Sequence, residues 1–157
     1  MQSEDIVRTF YADYLKRDID AAVAQIADNV TFDWKVGADH IKEYTGSVVG
    51  KQAFRDRLKA LDAEFDYIDI DIFDFVASED RAAVQIKLTM RHRKSQREFV
   101  IPIADFWTLR DGKVVEFAEY YDTALAQSIL AGAPAEAAPM VQTGEPAVEY
   151  DELLRRD

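Results

Sequence analysis

The spacing of the apolar residues changes near Phe65, and this change limits the possible folds more than any other feature of the sequence. Upstream of Phe65 the apolar side chains recur at helical spacing, as in the stripe Ile6, Phe10 and Tyr14. Downstream, apolar and polar residues alternate in four segments, at 65–76, 82–92, 97–109 and 114–121. This order predicts an α+β fold, with helices packed on one face of a curved antiparallel sheet.

Local signals indicate where the early elements begin. Ser3, which precedes two acidic residues, predicts the cap of the first helix, and Asp18 the cap of a second, short helix. The alternating segment 30–36 (VTFDWKV) predicts a strand, and residues 51–63 predict a third helix. Three helices and one intervening strand are therefore expected before Phe65.

Turn residues separate the later strands. Asp111-Gly112 is the strongest of these signals, because Asp-Gly suits a two-residue hairpin turn. Strands joined by such short turns are antiparallel. Pro102 has no N–H to donate, so we expect a bulge or an exposed edge at that point of its strand.

The composition excludes several classes of function. The formal net charge of −11 argues against nucleic acid or an anionic membrane as the main partner, because phosphate binding needs clustered cations. The one basic run, 91–97 (RHRKSQR), is expected to be a solvated hairpin tip. Cysteine is absent, and His40 and His92 lack a metal-ligand spacing, so neither thiol chemistry nor a metal site is expected. We expect no bound cofactor.

The remaining sequence signals concern location and domain limits. No segment approaches about 18 consecutive apolar residues, and the first residues show no signal-peptide pattern, so a cytoplasmic protein without a membrane span is expected. A helix at 122–130, capped by Asp122, is expected to close a domain at 1–131. The tail at 132–157 is rich in Ala, Pro and Glu and predicts an extended or mobile appendage, with a short docking helix near its end.

Glu119 is the residue that most needs an explanation. In the predicted strand 116–122 (EFAEYYD), Phe117, Glu119 and Tyr121 share one face. If that face is interior, Glu119 lies among aromatic rings, where a carboxylate is costly unless it is paired, protonated or used in chemistry. Two interpretations are open: an ion pair with a cation from the segment 85–91, or a proton-transfer group.

Aromatic residues are abundant enough to line a cavity as well as to fill a core. Candidates for the cavity wall lie on helix stripes or strand faces: Phe10, Tyr14, Trp34, Phe54, Phe106, Phe117 and Tyr121. Lys87 and Arg91 are candidates for stabilising an enolate if either points inward. With Phe106 placed inside, Asp105 is expected to face an interface or solvent, because neighbouring strand residues point to opposite faces.

The order of these elements resembles the cone-shaped α+β family shared by nuclear transport factor 2, ketosteroid isomerase and SnoaL-like polyketide cyclases. The resemblance rests on three segments, IVRTFYADYLKRDIDAAVAQIADNVTFDW at 6–34, GKQAFRDRL at 50–58 and IPIADFWTLRDGKVVEFAEYYDT at 101–123. It spans residues 5 to about 130 and implies a three-helix cone around a mainly apolar pocket. Fold alone does not fix activity in so varied a family.

The resemblance also implies which functional groups to look for. By matching, the isomerase's oxyanion-hole tyrosine falls at Phe10, its general base at Trp34 and its second aspartate at Ala104, so steroid isomerisation by that mechanism is not expected. The cyclases and the related limonene epoxide hydrolases place an acid–base aspartate on the last strand, which corresponds here to Glu119. The Arg-x-Asp pair of the hydrolases falls at Gln85 and Lys87 and is not reproduced.

Two functions of different classes follow from the resemblance. The first is a cofactor-free enzyme that moves protons on a small hydrophobic, aromatic or carbonyl compound, in cyclisation, isomerisation or hydration, with Glu119 as acid or base. Tyr14 and Tyr121 are then candidates for bonding the substrate oxygen. The second is a ligand-binding or dimerisation module without catalysis. A homodimer through the outer face of the sheet is expected in either case.

Overall fold

The change of spacing at Phe65 marks the point where helices give way to the main run of strands. The computed structural model describes residues 2–37 and 44–132. The proposed docking helix near the end of the tail lies outside these residues. In chain order the elements are α1 (Ser3–Leu15), α2 (Ile19–Ala22), a short 3₁₀ turn (Val23–Gln25), β1 (Ile26–Trp34), β2 (Gly46–Val49), α3 (Lys51–Glu64), β3 (Phe65–Ala77), β4 (Arg81–His92), β5 (Arg97–Arg110), β6 (Lys113–Tyr121) and α4 (Thr123–Leu130).

Side-chain caps fix the ends of two helices as the sequence predicts. The Asp18 carboxylate accepts from the backbone N–H of Ala21, and that of Asp122 accepts from Leu125. The expected cap at Ser3 is wrong, because Gln2 occupies the cap position and Ser3 is already helical. The Ser3 hydroxyl donates instead to the backbone oxygen of Ser78, which ties α1 to the β3–β4 turn.

The sheet has six strands in the order β2-β1-β6-β5-β4-β3. The four strands after Phe65 form the predicted antiparallel meander. Two features were not predicted: the short strand β2, and the parallel pairing of β1 with β6. Hairpin signals define only neighbours along the chain, whereas β1 and β6 are separated by most of the fold.

Two details of the meander match the sequence signals. Asp111 and Gly112 both have positive φ, 51° and 71°, as a two-residue hairpin turn of the mirror-image type requires. β6 pairs with β5 only from Ile103 onward, so β5 has an unpaired edge on that side at Pro102. Shifts of register within β3, between Tyr67 and Asp69 and again between Ile72 and Asp74, mark bulges, which bend a strand.

The helices cover one face of the sheet. α1 contributes Val7 and Phe10 and α3 contributes Phe54 to a core shared with the inner face of the strands. On β5 the buried residues are Ile101, Ile103, Asp105, Trp107 and Leu109. The prediction that Phe106 points inward and Asp105 outward is therefore wrong. Asp105 is only 1% exposed, whereas Phe106 is 49% exposed on the outer face.

Candidate functional site

A cavity of about 100 Å³ lies between the helices and the inner face of the sheet. Helices α1, α3 and α4 contribute to its wall, together with five of the six strands. Most of the wall is apolar, and the polar groups among its described residues are aromatic hydroxyls, one indole N–H and two carboxyl groups, Asp105 and Glu119. This is the arrangement expected of a small-ligand site, since such sites combine apolar walls with few polar groups.

Glu119 lies on β6 between two unequal neighbours. The sheet places Trp34 of β1 beside it on one side and Asp105 of β5 on the other. The Trp34 indole Nε1–H donates to Glu119 Oε1 at 2.7 Å. Burial raises the pKa of Glu119 from 4.5 to about 7, and the bond from Trp34 opposes this rise. A carboxyl with such a pKa both holds and releases a proton near neutral pH.

The ion pair considered for Glu119 is absent among the described residues. It needed a cation from β4, but β5 lies between β4 and β6. Lys87 is on the outer face, with its Nζ 5.4 Å from the centre of the Phe73 ring. Arg91 pairs with Glu98 at 2.5 Å. Neither lines the cavity, so neither can stabilise an enolate there.

Asp105 is the second carboxyl of the site. The Tyr11 hydroxyl donates to Asp105 Oδ2, and the Trp107 indole Nε1–H donates to the same hydroxyl oxygen at 3.3 Å. The other carboxyl oxygen, Oδ1, is buried without a hydrogen-bond partner among the described residues. Burial, and then the charge of Glu119, raise the pKa of Asp105 well above its usual range, and the bond from Tyr11 opposes this.

Asp105 and Glu119 act electrostatically as a pair. They face each other in the β5–β6 ladder, where directly opposite Cβ atoms are about 5 Å apart. Two carboxylates at this separation repel each other, so the second proton is harder to remove than the first. The pair therefore titrates as one unit, in which ionisation of one carboxyl opposes ionisation of the other.

The tyrosines of the wall bond mainly to one another and to the backbone. The Tyr14 hydroxyl donates to the Tyr67 hydroxyl at 2.6 Å, and the Tyr121 hydroxyl donates to the backbone oxygen of Tyr44 at 2.5 Å. Burial raises the pKa of Tyr14, Tyr67 and Tyr121, so these hydroxyls are neutral at physiological pH. The protons of Tyr14 and Tyr121, expected to bond a substrate oxygen, are already engaged.

Six of the predicted site residues line the cavity, and four do not. The six are Phe10, Tyr14, Trp34, Phe117, Glu119 and Tyr121. Phe54 is completely buried in the core behind the wall, against Phe10, Phe32 and Phe117. Phe106, Lys87 and Arg91 belong to the outer face. The side chains of β4 that point inward are apolar, from Ala82 to Met90, so its cations point outward.

The sequence interpretation missed Asp105, Tyr11 and Tyr67. A signal for Asp105 was present, because the alternation in IPIADFWTL puts it on the same face as Ile101, Ile103 and Trp107. The matching to the isomerase placed that family's second aspartate at Ala104, one residue away on the outer face. An inward carboxyl therefore does exist at this level of β5. Tyr11, which bonds to it, is likewise the neighbour of the matched Phe10.

Other polar clusters lie apart from this pair. His92 is buried, with Nδ1 at 2.8 Å from Ser95 Oγ and Nε2 at 3.4 Å from Glu64. This cluster ties the β4–β5 turn to the end of α3. Residues 2–37 and 44–132 contain no group of three His, Cys, Asp or Glu side chains placed to hold a metal ion. None of the helices in these ranges has the length and apolar character needed to span a bilayer.

Residues 7–117 match the model of the SnoaL-like domain, and the chain belongs to that family. No curated protein sequence is a significant match to the chain.

Solved structures show the same fold at low sequence identity. A Bacillus subtilis protein provisionally described as an isomerase matches with a TM-score of 0.73 at 15% identity, over 82% of this chain and 92% of that one. A provisionally described polyketide cyclase from Xanthomonas campestris has a TM-score of 0.66 at 19% identity, over 80% and 93%. A Catenulispora acidiphila protein with a ketosteroid isomerase-like fold, in complex with trimethylamine, has a TM-score of 0.67 at 18% identity, over 88% and 100%.

Proposed function

We propose that the chain is a cofactor-free enzyme that transfers protons on a small hydrophobic compound held in the cavity. The observation that carries this proposal is the pair of neighbouring carboxyls, Glu119 and Asp105, inside an aromatic wall. Strongly perturbed carboxyls in a cavity are typical of acid–base sites. The reaction classes that fit are isomerisation, cyclisation and hydration.

Glu119 is the proton-transfer group in this proposal. With a pKa of about 7 it is partly ionised at neutral pH, and so it accepts a proton from a substrate C–H or O–H group. Trp34 holds one of its oxygens, which fixes the orientation of the carboxyl. In an isomerisation the same proton is returned to another atom of the substrate, so the reaction needs no oxidant or reductant.

Asp105 holds the proton that the pair keeps when Glu119 is ionised. Its pKa is raised further by the charge on Glu119, so it stays protonated while Glu119 is ionised. Because Tyr11 occupies Oδ2, the free Oδ1 is the atom available to bond a substrate oxygen. Tyr11 and Trp107 are positioning residues, since they hold Asp105 and do not act on the substrate themselves.

The cavity limits the size of the substrate. An engineered cavity of about 150 Å³ holds benzene, so a cavity of about 100 Å³ suits a small compound or one end of a larger one. A four-ring steroid does not fit within it, which adds to the reasons for not expecting steroid isomerisation. The trimethylamine bound to the Catenulispora acidiphila protein is a ligand of the appropriate size and supports small-molecule binding in this fold.

A homodimer is part of the same proposal. The outer face of the sheet carries large exposed apolar side chains, among them Phe73, Val100, Phe106 and Tyr120. Phe106 and Tyr120 pack edge to face with ring centres 5.9 Å apart, so they form a continuous patch. Contiguous apolar patches of this kind mark interaction surfaces. The rival function, a binding or dimerisation module without catalysis, retains this surface and the cavity but gives the carboxyl pair no role in catalysis.

Deuterium exchange tests the catalytic proposal without knowledge of the product. The protein is incubated in D₂O with a panel of small ketones and aldehydes, and incorporation at the carbon next to the carbonyl is followed by NMR. We expect exchange above the buffer rate for at least one compound, and its loss in Glu119→Gln. Glu116→Gln is the matched control, because Glu116 is exposed on the opposite face of the same strand. Equal exchange in Glu119→Gln and the parent would remove Glu119 from the mechanism.

A further inference from the structure

The cavity wall has negative charge available but no positive charge. Asp105 and Glu119 both line it, and its described residues include no Lys, Arg or His. The guanidinium of Arg57 lies outside the wall, 4.5 Å from the centre of the Trp34 ring. It donates to the backbone oxygens of Gly46 and Thr45. A charge on the carboxyl pair is therefore left without a counter-ion in the described part of the wall.

The hydrogen-bond donors of the wall are mostly engaged within the protein. Trp34 donates to Glu119, Tyr11 to Asp105 and Tyr121 to a backbone oxygen. In contrast, the buried Oδ1 of Asp105 has no partner among the described residues. An unpaired buried oxygen of this kind is costly, and a ligand that supplies positive charge or a donor removes the cost. Once both carboxyls are ionised, the described part of the wall therefore has spare acceptors and few spare donors.

We propose that the cavity binds a small organic cation, a ligand whose buried end is a tertiary or quaternary ammonium group. This inference rests on the proposed function, because it assigns a ligand class to the same cavity. The rings of Trp34, Tyr14 and Tyr67 line the cavity beside the carboxyls, and aromatic faces attract ammonium groups. A trimethylammonium group has fewer heavy atoms than benzene when its attached carbon is included, which suits the cavity volume of about 100 Å³.

A bound ammonium also changes the chemistry of the pair. It offsets the repulsion between the two carboxylates, so both ionise at a lower pH than in the empty protein. With a cationic ligand, the ionised Asp105 serves as counter-ion instead of donating to a substrate oxygen, and Glu119 remains the proton acceptor. The ligand thus activates the base that acts on it, and the binding of a permanent cation releases protons from the protein.

This coupling makes the affinity depend on pH. Besides the pair, the titratable groups among the described residues of the wall are tyrosines: Tyr11 and Tyr14 from α1, Tyr44 before β2, Tyr67 from β3 and Tyr121 from β6. Burial raises the pKa of Tyr11, Tyr14, Tyr67 and Tyr121, so they stay neutral between pH 5 and 8. β1 presents Trp34, which does not titrate, and β4 presents apolar side chains. The carboxyl pair is therefore the group that sets the pH dependence, and cation affinity falls as the pH drops from 8 to 5.

Three probes of matched shape test this inference. Choline, 3,3-dimethyl-1-butanol and 3,3-dimethylbutanoate share a branched head and differ in charge: positive, neutral and negative. Isothermal titration calorimetry on the intact chain at pH 8 is expected to show choline binding at least about tenfold more tightly than the neutral alcohol, and the anion binding most weakly. Repeating the choline titration at pH 7 in buffers of different ionisation enthalpy is expected to show proton release.

Variants of the two carboxyls test whether their charge causes the preference for choline. Glu119→Gln and Asp105→Asn are each expected to reduce the preference for choline over the alcohol to within about threefold, while Glu116→Gln keeps it. If the alcohol binds the parent as tightly as choline does, the cation inference fails but a small-ligand cavity stands. If none of the three binds at millimolar concentration, the cation inference also fails, and the deuterium-exchange result alone then decides the proposed function. The comparison on the parent protein does not depend on either variant folding.

Discussion

At the scale of single residues, the surroundings of Glu119 explain why an acidic side chain persists on an apolar strand face. Its neighbours are an indole donor on one side and another carboxyl on the other, and its pKa is raised to about 7. The sequence was enough to place Glu119 with Phe117 and Tyr121 on one face. It was not enough to find its partners. Trp34 lies on a strand that is distant in the sequence, and Asp105, although it is on the other strand of the predicted hairpin, was assigned to the outer face.

Replacing Glu119 with Gln should make the free energy of unfolding depend less on pH. The folded pKa lies above the unfolded value, so ionisation opposes folding: the penalty grows as the pH rises from 4.5 and levels off above about 7. Glu119→Gln is therefore expected to unfold with a free energy close to that of the parent at pH 5, and higher by up to about 3 kcal/mol at pH 8. Urea denaturation at the two pH values measures this.

The opposite result has a clear meaning. A Glu119→Gln variant that is less stable than the parent at pH 8 would show that the ionised carboxylate contributes a favourable structural interaction. Glu116→Gln, on the exposed face of the same strand, serves as the control and should behave as the parent does at both pH values.

Tyr11 should matter for stability as well as for the site. Tyr11→Phe removes the donor to Asp105 and the acceptor for the Trp107 indole. Both groups are buried, so the loss is expected to cost about 1–3 kcal/mol in the free energy of unfolding. Tyr120→Phe is the matched control, because Tyr120 is 46% exposed, and it should stay within about 0.5 kcal/mol of the parent. Equal midpoints for the two variants would mean that the Tyr11–Asp105 bond does not stabilise the fold.

At the scale of elements, local signals predicted the hairpins and two of the three helix caps, but not every strand pairing and not which residues of β5 point inward. Asp18, Asp122 and Asp111-Gly112 act through their immediate neighbours, so their effects are visible in the sequence. β2 is four residues long and mostly exposed, and it therefore carries no clear alternation. The inner face of β5 was misassigned because Phe106 was taken as interior, although an exposed aromatic patch on the outer face was an alternative.

The turn between β5 and β6 offers a clean test at this scale. Gly112 has a φ of +71°, where an added Cβ meets no atom within 4 Å but strains the backbone. Gly112→Ala is expected to lower the free energy of unfolding by about 1 kcal/mol. Gly37→Ala is the control, because Gly37 is equally open but does not require positive φ. Equal stability of the two variants would show that the backbone relaxes at this turn without cost.

At the scale of the whole molecule, the two faces of the sheet have different roles. The inner face and the helices enclose the cavity with its carboxyl pair. The outer face presents Phe73, Phe106 and Tyr120 to the surroundings. The SnoaL-like fold itself could be predicted from the order of elements, since that order depends on the change of apolar spacing. The class of ligand could not be predicted from the sequence, because the charge inside the cavity depends on which side chains point inward and on how the strands pair.

The proposed dimer depends on that outer face. Phe106→Glu is expected to convert the protein to a monomer, because it places a charge in the centre of the apolar patch. Val49→Glu, at a residue 69% exposed on the edge strand β2, should leave the oligomeric state unchanged. Light scattering after size-exclusion chromatography measures both. A monomeric parent protein would overturn the dimer proposal and leave the cavity proposals untouched.

In the mechanism proposed above, Glu119 and Asp105 titrate as a pair and Glu119 ionises near neutral pH. The most direct test is to follow the side-chain carboxyl ¹³C resonance of Glu119 from pH 4 to pH 9, assigned by its absence in Glu119→Gln. We predict a main titration near pH 7, and in Asp105→Asn a single, uncoupled step. A Glu119 carboxyl that titrates near the ordinary value of about 4.3 in the folded protein would contradict the account.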